Sequence, residues 1–311
     1  MITLFAPDGI GEVGPGTDLA DAIVRAVAAD PAGPLRAGDI VVVTSKVVSK
    51  AEGRYLPVEE REDAITAESV RTVARRGPTR IVRTRHGLTL AAGGVDTSNV
   101  ASDSSLLLPV DPDASAARLR DALQQQSGAA LGVVISDTAG RAWRIGQTDQ
   151  AIGASGVLVV ERYAGQQDGY GNELQVTAVA IADELASAAD LAKAKLAGRP
   201  IAVVRGLERY VVDDPPAGTG DDPETRAALL VRDPASDMFR YGSREAVIAA
   251  LLEATGQGER YEATLGLPAD LVADAVVAGS GRTGGEAELL RSILSAATWG
   301  SIPPSGADAG R

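Results

Sequence analysis

Apolar positions along the chain change their spacing often, and each change predicts a new element. Leu19, Ile23 and Val27 stand four apart between a Thr17–Asp18 cap and Asp30, which predicts a helix. Residues 39–45, DIVVVTS, form a short β-branched run and predict a buried strand. The charged stretch 58–76 predicts a solvent-facing helix ended by Gly77–Pro78. Strands are expected at 80–84 and 88–91. In DPDASAARLRDALQQQSG, Ala116, Leu119 and Leu123 predict a helix with Asp113 as cap and Gly128 as its stop. A strand at 131–135 and a strand candidate in GVLVVER follow. From 173 to 196, Leu174, Ala178, Ile181, Leu185, Ala189, Ala192 and Leu196 predict one long helix with a narrow, alanine-rich face. PIAVVRG returns to strand, and TRAALLVR and SREAVIAALLEAT to helix. IPPSGADAGR has no period and reads as a loose tail.

Strands interleaved with helices give an α+β, or mixed α/β, class, with connections too irregular for a regular doubly wound sheet. A composition change near Gly242 divides the chain into an expected main domain, 1–242, and a helical C-terminal extension, 243–311. At 311 residues and 45% hydrophobic, the chain can bury a substantial core. Its formal net charge of −12 argues against a nucleic-acid partner, though not against a local basic site for a small anion. No uncharged apolar run reaches the roughly 18 residues of a membrane span. The start, MITLFAPDGIGEVG, lacks the basic and apolar regions of an export signal. A cytoplasmic protein without a membrane partner is the expectation.

Two absences narrow the chemistry. There is no cysteine, so disulfides, thiolate metal sites and thiol nucleophiles are excluded. His86 is the single histidine, which excludes any His–His arrangement, and it is assigned no role. Lysine is confined to Lys46, Lys50, Lys193 and Lys195.

Four stretches could carry a reaction. In AAGGVDTSNV, residues 91–100, a Gly–Gly pair allows a sharp turn, and Asp96, Ser98 and Asn99 offer oxygen and amide groups suited to a hard cation. Asx-turn or capping bonds within a loop are the plainer and stronger reading there. In LGVVISDTAGRAWRIG, residues 131–146, Asp137 and Thr138 lie just past an apparent buried strand, where ligands commonly sit in layered α/β proteins. Arg141 and Arg144 would share a face in a helical turn and could grip an anion. A capped helix start with two surface arginines explains that stretch equally well. In TSKVVSKAEGR, residues 44–54, Lys46 and Lys50 would project from one helical face behind a Thr–Ser cap, either as an anion site or as ordinary surface lysines. The acidic loop with Asp213, Asp214, Asp221, Asp222 and Glu224 is either a solvated loop or the source of a further metal ligand. No phosphate-loop motif is present, and GIGEVG at 9–14 does not make a dinucleotide fingerprint.

Taken in order, TSKVVSKAEGR, GGVDTSNV, SLLLPVDPDASAARLR, LGVVISDTAGRAWRIG and VVRGLERY resemble the coenzyme F420-0:L-glutamate ligase family, the gamma-glutamyl ligases, over about residues 1–242. The resemblance implies a fold of mixed sheets and packed helices. It also implies a GTP-dependent ligase with two divalent metals, Mn2+ or Mg2+, which adds L-glutamate to coenzyme F420-0 and extends a gamma-linked tail. An acyl phosphate would be the intermediate, GDP and phosphate the products, and a homodimer the assembly. By matching motif positions, Asp96 and Asp137 would ligate one metal and Thr138 a second, with Asp222 as a further ligand. Ser45, Lys46, Lys50, Asn99 and the stretch Ile10, Gly11, Glu12 and Val13 would contact nucleotide. Asp137 and Arg141 are the candidate catalytic residues, Arg141 as a clamp on transferred phosphate or on the acidic deazaflavin. GIGEVGPGTDL departs from the family's usual residues after its first glycine, and the acidic loop differs in length. Some longer bacterial relatives carry a flavin-reductase-like C-terminal domain, for which residues 243–311 are too few. An amide ligase acting on another acid, or a metal-dependent phosphohydrolase or nucleotide-binding protein, are the alternatives.

Overall fold

A computed structural model describes residues 1–212 and 222–297. In chain order the elements begin β1 (Thr3–Phe5), α1 (Leu19–Ala29), β2 (Ile40–Thr44), α2 (Ser45–Ala51), β3 (Tyr55–Pro57) and α3 (Arg61–Ala67). Four short strands follow, β4 (Ser69–Arg76), β5 (Thr79–Thr84), β6 (Thr89–Ala91) and β7 (Ser104–Leu106), then α4 (Pro112–Ser127). The long strands β8 (Gly132–Arg141) and β9 (Arg144–Ser155) precede β10 (Glu161–Arg162), β11 (Ala178–Val179), α5 (Ile181–Lys193) and β12 (Ile201–Arg205). Last come α6 (Ser243–Ala254), α7 (Tyr261–Thr264), α8 (Ala269–Ser280) and α9 (Gly285–Ala297). The class is α+β, as the interleaved pattern predicts. No helix among the described residues is long and apolar enough to cross a membrane.

The chain forms two compact units. The first, residues 1–67, 86–88 and 94–232, is built on a five-stranded sheet in the order β1-β12-β2-β8-β9. Only β2 and β8 run parallel, with Ile40 opposite Gly132 and Thr44 opposite Ser136. Ile40, Val41, Val42 and Val43 are all fully buried, so helices and loops cover both faces of this sheet. On one face Ile40, Val42, Val134, Ala202 and Val204 pack with Ile181, Ala182, Leu185 and Ala189 of α5. The small alanines let that helix approach the strands closely. Helix α4 packs against β8 and β9.

Edge strand β9 is tied down by helix carboxylates. Asp183, in the first turn of α5, accepts the N–H of Ala151 at 2.8 Å, and Asp113 of α4 accepts that of Ala154 at 2.8 Å. Asp113 also accepts the N–H groups of Ala227 and Ala228. It is therefore not the helix cap predicted from sequence. Asp111 caps α4 instead, with Pro112 in the first turn, where proline's missing N–H costs nothing.

The pairing of β8 with β9 slips between Ile135 and Ser136, where β9 carries an extra residue, Ile152. Without that bulge Gln150 would stand opposite Thr138. With it, Asp149 does.

The second unit contains residues 68–85, 89–93 and the chain from 233 onward, so the boundary expected at 242 lies inside it. Its three-stranded sheet, β4-β5-β6, is closed along β4 by C-terminal groups. Glu262 and Glu245 accept the N–H groups of Thr72 and Arg75, and Gly242 donates to Val73. Ile248, Leu252, Tyr261, Leu265, Val272, Ala273, Val276 and Leu294 form the helical core beside it.

Four expected elements differ. Residues 58–76 are not one helix: α3 ends at Ala67, and β4 pairs with β5 through a Gly77–Pro78 turn. GVLVVER is strand only at β10, because Leu158 and Val159 donate to Tyr210 and Glu224 in place of a ladder. The long helix begins at Ile181 and stops at Lys193, since Tyr163, Gly165 and Leu174 spend their backbone bonds in a local antiparallel loop. TRAALLVR forms short 3-10 turns, two of whose N–H groups bind Asp113. The tail IPPSGADAGR lies outside the described residues.

Gly153 marks where α4 presses closest to β9. A Cβ there would lie 2.3 Å from the carbonyl oxygen of Pro112, whereas one at Gly140 would meet nothing within 4 Å. Gly153→Ala is expected to cost about 1–3 kcal/mol by overpacking, while Gly140→Ala stays close to wild type. Urea unfolding of the two variants checks this, and equal midpoints would contradict it.

Candidate functional site

Strand β2 ends opposite Ser136 of β8, and the polar groups begin there. The run Ile40–Val43 is spent on burial; Thr44 is the N-cap of α2, and Ser45, Lys46 and Lys50 lie on that helix. Ser45 Oγ donates to Asp137 Oδ1 at 2.8 Å. Lys46 Nζ reaches Asp96 Oδ2 at 2.6 Å and also donates to Ser98 Oγ. Asp96 accepts the Ser98 N–H at 2.7 Å, so the predicted Asx-type loop bond is present together with the lysine. Asn99, with φ of 59°, takes a left-handed backbone that suits asparagine better than most residues.

Asp137 and Thr138 follow on β8, and the period of a strand sends them to opposite faces. Asp137 turns to Ser45 on α2. Thr138 turns the other way and donates to Asp149 Oδ1 at 2.8 Å. Asp149 Oδ2 accepts from Lys193 Nζ at 2.7 Å and from Ser136 Oγ at 2.8 Å, and Lys193 also donates to Ser136 at 2.9 Å. Lys193 and Asp149 are 5% and 3% exposed, a buried ion pair whose remaining polar positions are hydrogen-bonded. Sequence reasoning missed Asp149 and gave Lys193 no role. The scarcity of lysine was the signal for Lys193; nothing short of the bulge identifies Asp149.

A cleft of about 440 Å³ opens here. Gly11, Glu12 and Val13 of the N-terminal loop line it, with Lys46 and Lys50 of α2, Asn99, Thr138, Asp149, and the segment around Lys193, Lys195 and Arg199. All four lysines of the chain therefore face one cavity. Lys50, only 9% exposed, holds Glu12 at 2.9 Å. Helix α5 ends at the cleft because Ala194 adopts φ of 50°, which turns the chain toward Lys195. Arg199 forms a bidentate pair with Asp8 at the surface.

Other expected residues lie elsewhere. Ile10 is buried and does not line the cleft. Arg141 and Arg144 are not on a helical turn: they pair across the end of the β8–β9 hairpin, and Arg141 donates to the Ile145 carbonyl at 3.1 Å. Strand pairing continues through Asp137–Arg141 because β9 offers a partner for every residue of it. Asp222 caps a short 3-10 turn by accepting the Glu224 N–H and does not line the cleft. Asp213, Asp214 and Asp221 lie outside the described residues.

The carboxylates differ in charge behaviour. Burial pushes Asp137 up to about 6; Ser45 and Lys46 oppose the rise, and Asp149 and Asp96 add to it. Burial also acts to raise Asp96, but Lys46 and Ser98 outweigh it and hold this carboxyl below its ordinary value. At Asp149 burial is likewise outweighed, here by Lys193, Ser136 and Thr138. No three Asp, Glu or His groups converge to hold a metal among the described residues. Asp137 with Asp96 and the hydroxyl of Ser45 is instead a donor set of two carboxylates and one hydroxyl, with the hydroxyl of Thr138 on the other face of β8. That suits a hard cation that takes its other oxygens from water or a bound phosphate.

Folded Asp137 holds its proton more tightly than the unfolded chain, whose carboxyl titrates near 3.8. Between that value and about 6 the folded state binds more protons, so this residue's contribution is lost as pH rises through the window. In chelator, Asp137→Asn should be more stable than wild type at neutral pH, with the two converging below about pH 4. Melting temperatures across pH 3.5–7.5 test it; parallel curves would contradict it.

Comparison with known proteins bears on this geometry. Residues 9–206 match the family model described as F420-0:Gamma-glutamyl ligase, a span that includes every residue lining the cleft. The chain is 36% identical over 249 residues to the coenzyme F420:L-glutamate ligase of Methanopyrus kandleri, covering 74% of this chain and 94% of that one. It is 36% identical to the protein of the same name from Methanothermobacter thermautotrophicus over 225 residues, 66% of this chain and 89% of the relative. For the Haloarcula marismortui protein the figures are 33% over 267 residues, 78% of this chain and 97% of the relative. With its cleft wholly inside the matched span and its relatives covered almost end to end, the chain belongs to the F420-0:gamma-glutamyl ligase family.

Proposed function

We propose that this ligase uses GTP to join the amino group of L-glutamate to a carboxylate of coenzyme F420-0, and then extends the tail through gamma links. The observation that carries the reading is the convergence of all four lysines on one cleft beside Asp96 and Asp137. Each reactant is anionic, and an acidic chain that places its whole complement of lysine in one cavity offers a seat for them. The names borne by the relatives, coenzyme F420:L-glutamate ligase, supply the substrates.

The chemical sequence follows from the weakness of a carboxylate as an acyl donor. Its oxygen attacks the γ-phosphorus of GTP and GDP leaves. The glutamate amine then attacks the acyl carbon, phosphate departs, and the nitrogen loses its proton. Neither step requires a histidine or a cysteine. Both require that phosphate charge be neutralised and the reacting groups aligned. Lys46 and Lys50, projecting from the first helix after β2, would meet the phosphates, with Gly11, Glu12, Val13 and Asn99 in the neighbouring wall. Asp137 and Asp96 would hold one Mn2+ or Mg2+ and Thr138 a second, and these would supply charge neutralisation and orientation of phosphate oxygens. Within that scheme Asp96 would be one of the residues holding the cation, and Lys46, its present partner, would turn its ammonium to the nucleotide.

The test incubates the full chain with coenzyme F420-0, GTP, L-glutamate and MnCl2 and follows products by mass spectrometry. Additions of one glutamate residue with release of GDP are expected. GTP loss without an adduct would point to a phosphohydrolase, and inactivity on this acid with activity on another to a different amide ligase. Asp137→Asn should abolish turnover while the protein stays folded, and Lys46→Met should lower it at least about 100-fold, the scale of a lost electrostatic stabiliser. Near-normal turnover in Asp137→Asn would overturn the metal assignment.

A further inference from the structure

We infer that Asp149 is a positioning residue, locked by Lys193 and Ser136 so that it takes the hydroxyl hydrogen of Thr138 and leaves that oxygen's lone pairs facing the cleft. The inference rests on the proposed cation site and deepens it. A threonine hydroxyl has one hydrogen and two acceptor positions, and left to itself it rotates. Pointing its hydrogen at a cation would make it repulsive; pointing it away makes the oxygen a ligand. Here the hydrogen is committed: Thr138 Oγ1 donates to Asp149 Oδ1 at 2.8 Å.

Asp149 can do this because its other oxygen is saturated. Oδ2 receives both the Lys193 ammonium, at 2.7 Å, and the Ser136 hydroxyl, at 2.8 Å. With Lys193 and Asp149 both buried, the carboxylate has no rotational freedom to offer Thr138 anything but an acceptor. Three elements meet in the arrangement: β8 gives Ser136 and Thr138, β9 gives Asp149, and the last turn of α5 gives Lys193. A lysine and a carboxylate also cancel one another, so the pair orients the ligand without altering the net charge offered to the metal. Outer groups that orient metal ligands typically govern about 10- to 100-fold in affinity.

The experiment reads metal binding directly, without turnover. Mn2+ is titrated into the full chain with GDP, and the free-ion signal is followed by electron paramagnetic resonance. Three variants are compared with wild type: Asp149→Asn, Thr138→Val, and the paired Asp149→Leu with Lys193→Met. The paired change removes both charges together and so avoids stranding a lone buried lysine. Melting temperature reports folding for each. About a 10-fold or greater loss of Mn2+ affinity is expected in all three. Adding Thr138→Val to the paired variant should cost nothing further, because both act through one oxygen. Wild-type affinity in folded Asp149→Asn or in the paired variant would overturn the positioning role, as would losses that multiply with that of Thr138→Val. A wild-type protein that binds no Mn2+ beside GDP would overturn the cation site itself, and the inference with it.

Discussion

Only one pair of neighbours in the five-stranded sheet runs parallel, and the cleft stands at its carboxyl end. Parallel pairing cannot be closed by a tight turn; it needs a long crossover. Between β2 and β8 that crossover runs from residue 45 to residue 131 and carries helix α2 as well as the loop with Asp96 and Asn99. The same constraint that separates the two strands in sequence therefore delivers Lys46, Lys50 and Asp96 to the place where β2 ends. Brought together in register, Thr44 and Ser136 stand opposite one another, and the residues that follow them, Ser45 and Asp137, are hydrogen-bonded. Ligands of layered α/β proteins gather at such ends because the backbone there stops pairing and turns outward.

Charge is divided between two cation types according to what each does well. Arginine's planar fork serves fixed structural pairs: Arg205 grips Asp39 through two bonds and two backbone carbonyls besides, and Arg199 grips Asp8. Lysine, a compact charge on a flexible stem, lines the cavity. Lys46 and Lys50 each hold a carboxylate, Asp96 and Glu12, that a bound anion could displace. Lys193 differs, because its partner is buried with it at the wall of the cleft. One cavity thus combines exchangeable and permanent ion pairs.

The parts legible in the sequence were those in which local pattern and tertiary role agree. Strand β2 and helix α2 could be read because a β-branched run meets a capped helix with two lysines one turn apart. The chemistry of Asp96, Asn99 and Thr138 was visible for the same reason, as polar groups at the ends of buried runs. Strand β9 was not, since its first half, RIGQTDQ, has neither β-branched density nor alternation and is strand only because β8 pairs with it. Gly140 and the two arginines looked like a helix start, and the hairpin overrides that local preference. With β9 went Asp149. Lys193 was counted as rare and then left idle, because its distance in sequence from everything it touches, 44 residues to Asp149, hides the pair. Asp113 was obscured likewise: it looks like a capping residue and instead binds the N–H of Ala154 on β9, as Asp183, inside the expected long helix, binds that of Ala151.

The bulge at Ile152 makes the site depend on parity as well as on composition. Every strand residue faces one way or the other, and an odd residue inserted on one side exchanges the two sets. Pairing Ile152 into a regular ladder, with no bulge, would leave Thr138, Asp149 and Lys193 in the chain unchanged. Gln150, with an amide in place of a carboxylate, would then turn toward the lysine, and Asp149 would turn away. Much of the apolar alternation beyond the bulge could still find a partner, so such a protein could keep its sheet while losing the buried pair. Sequence identity would not register such a change of pairing. In this fold the unpaired residue at 152, and not the presence of Asp149 alone, brings that carboxylate to Thr138.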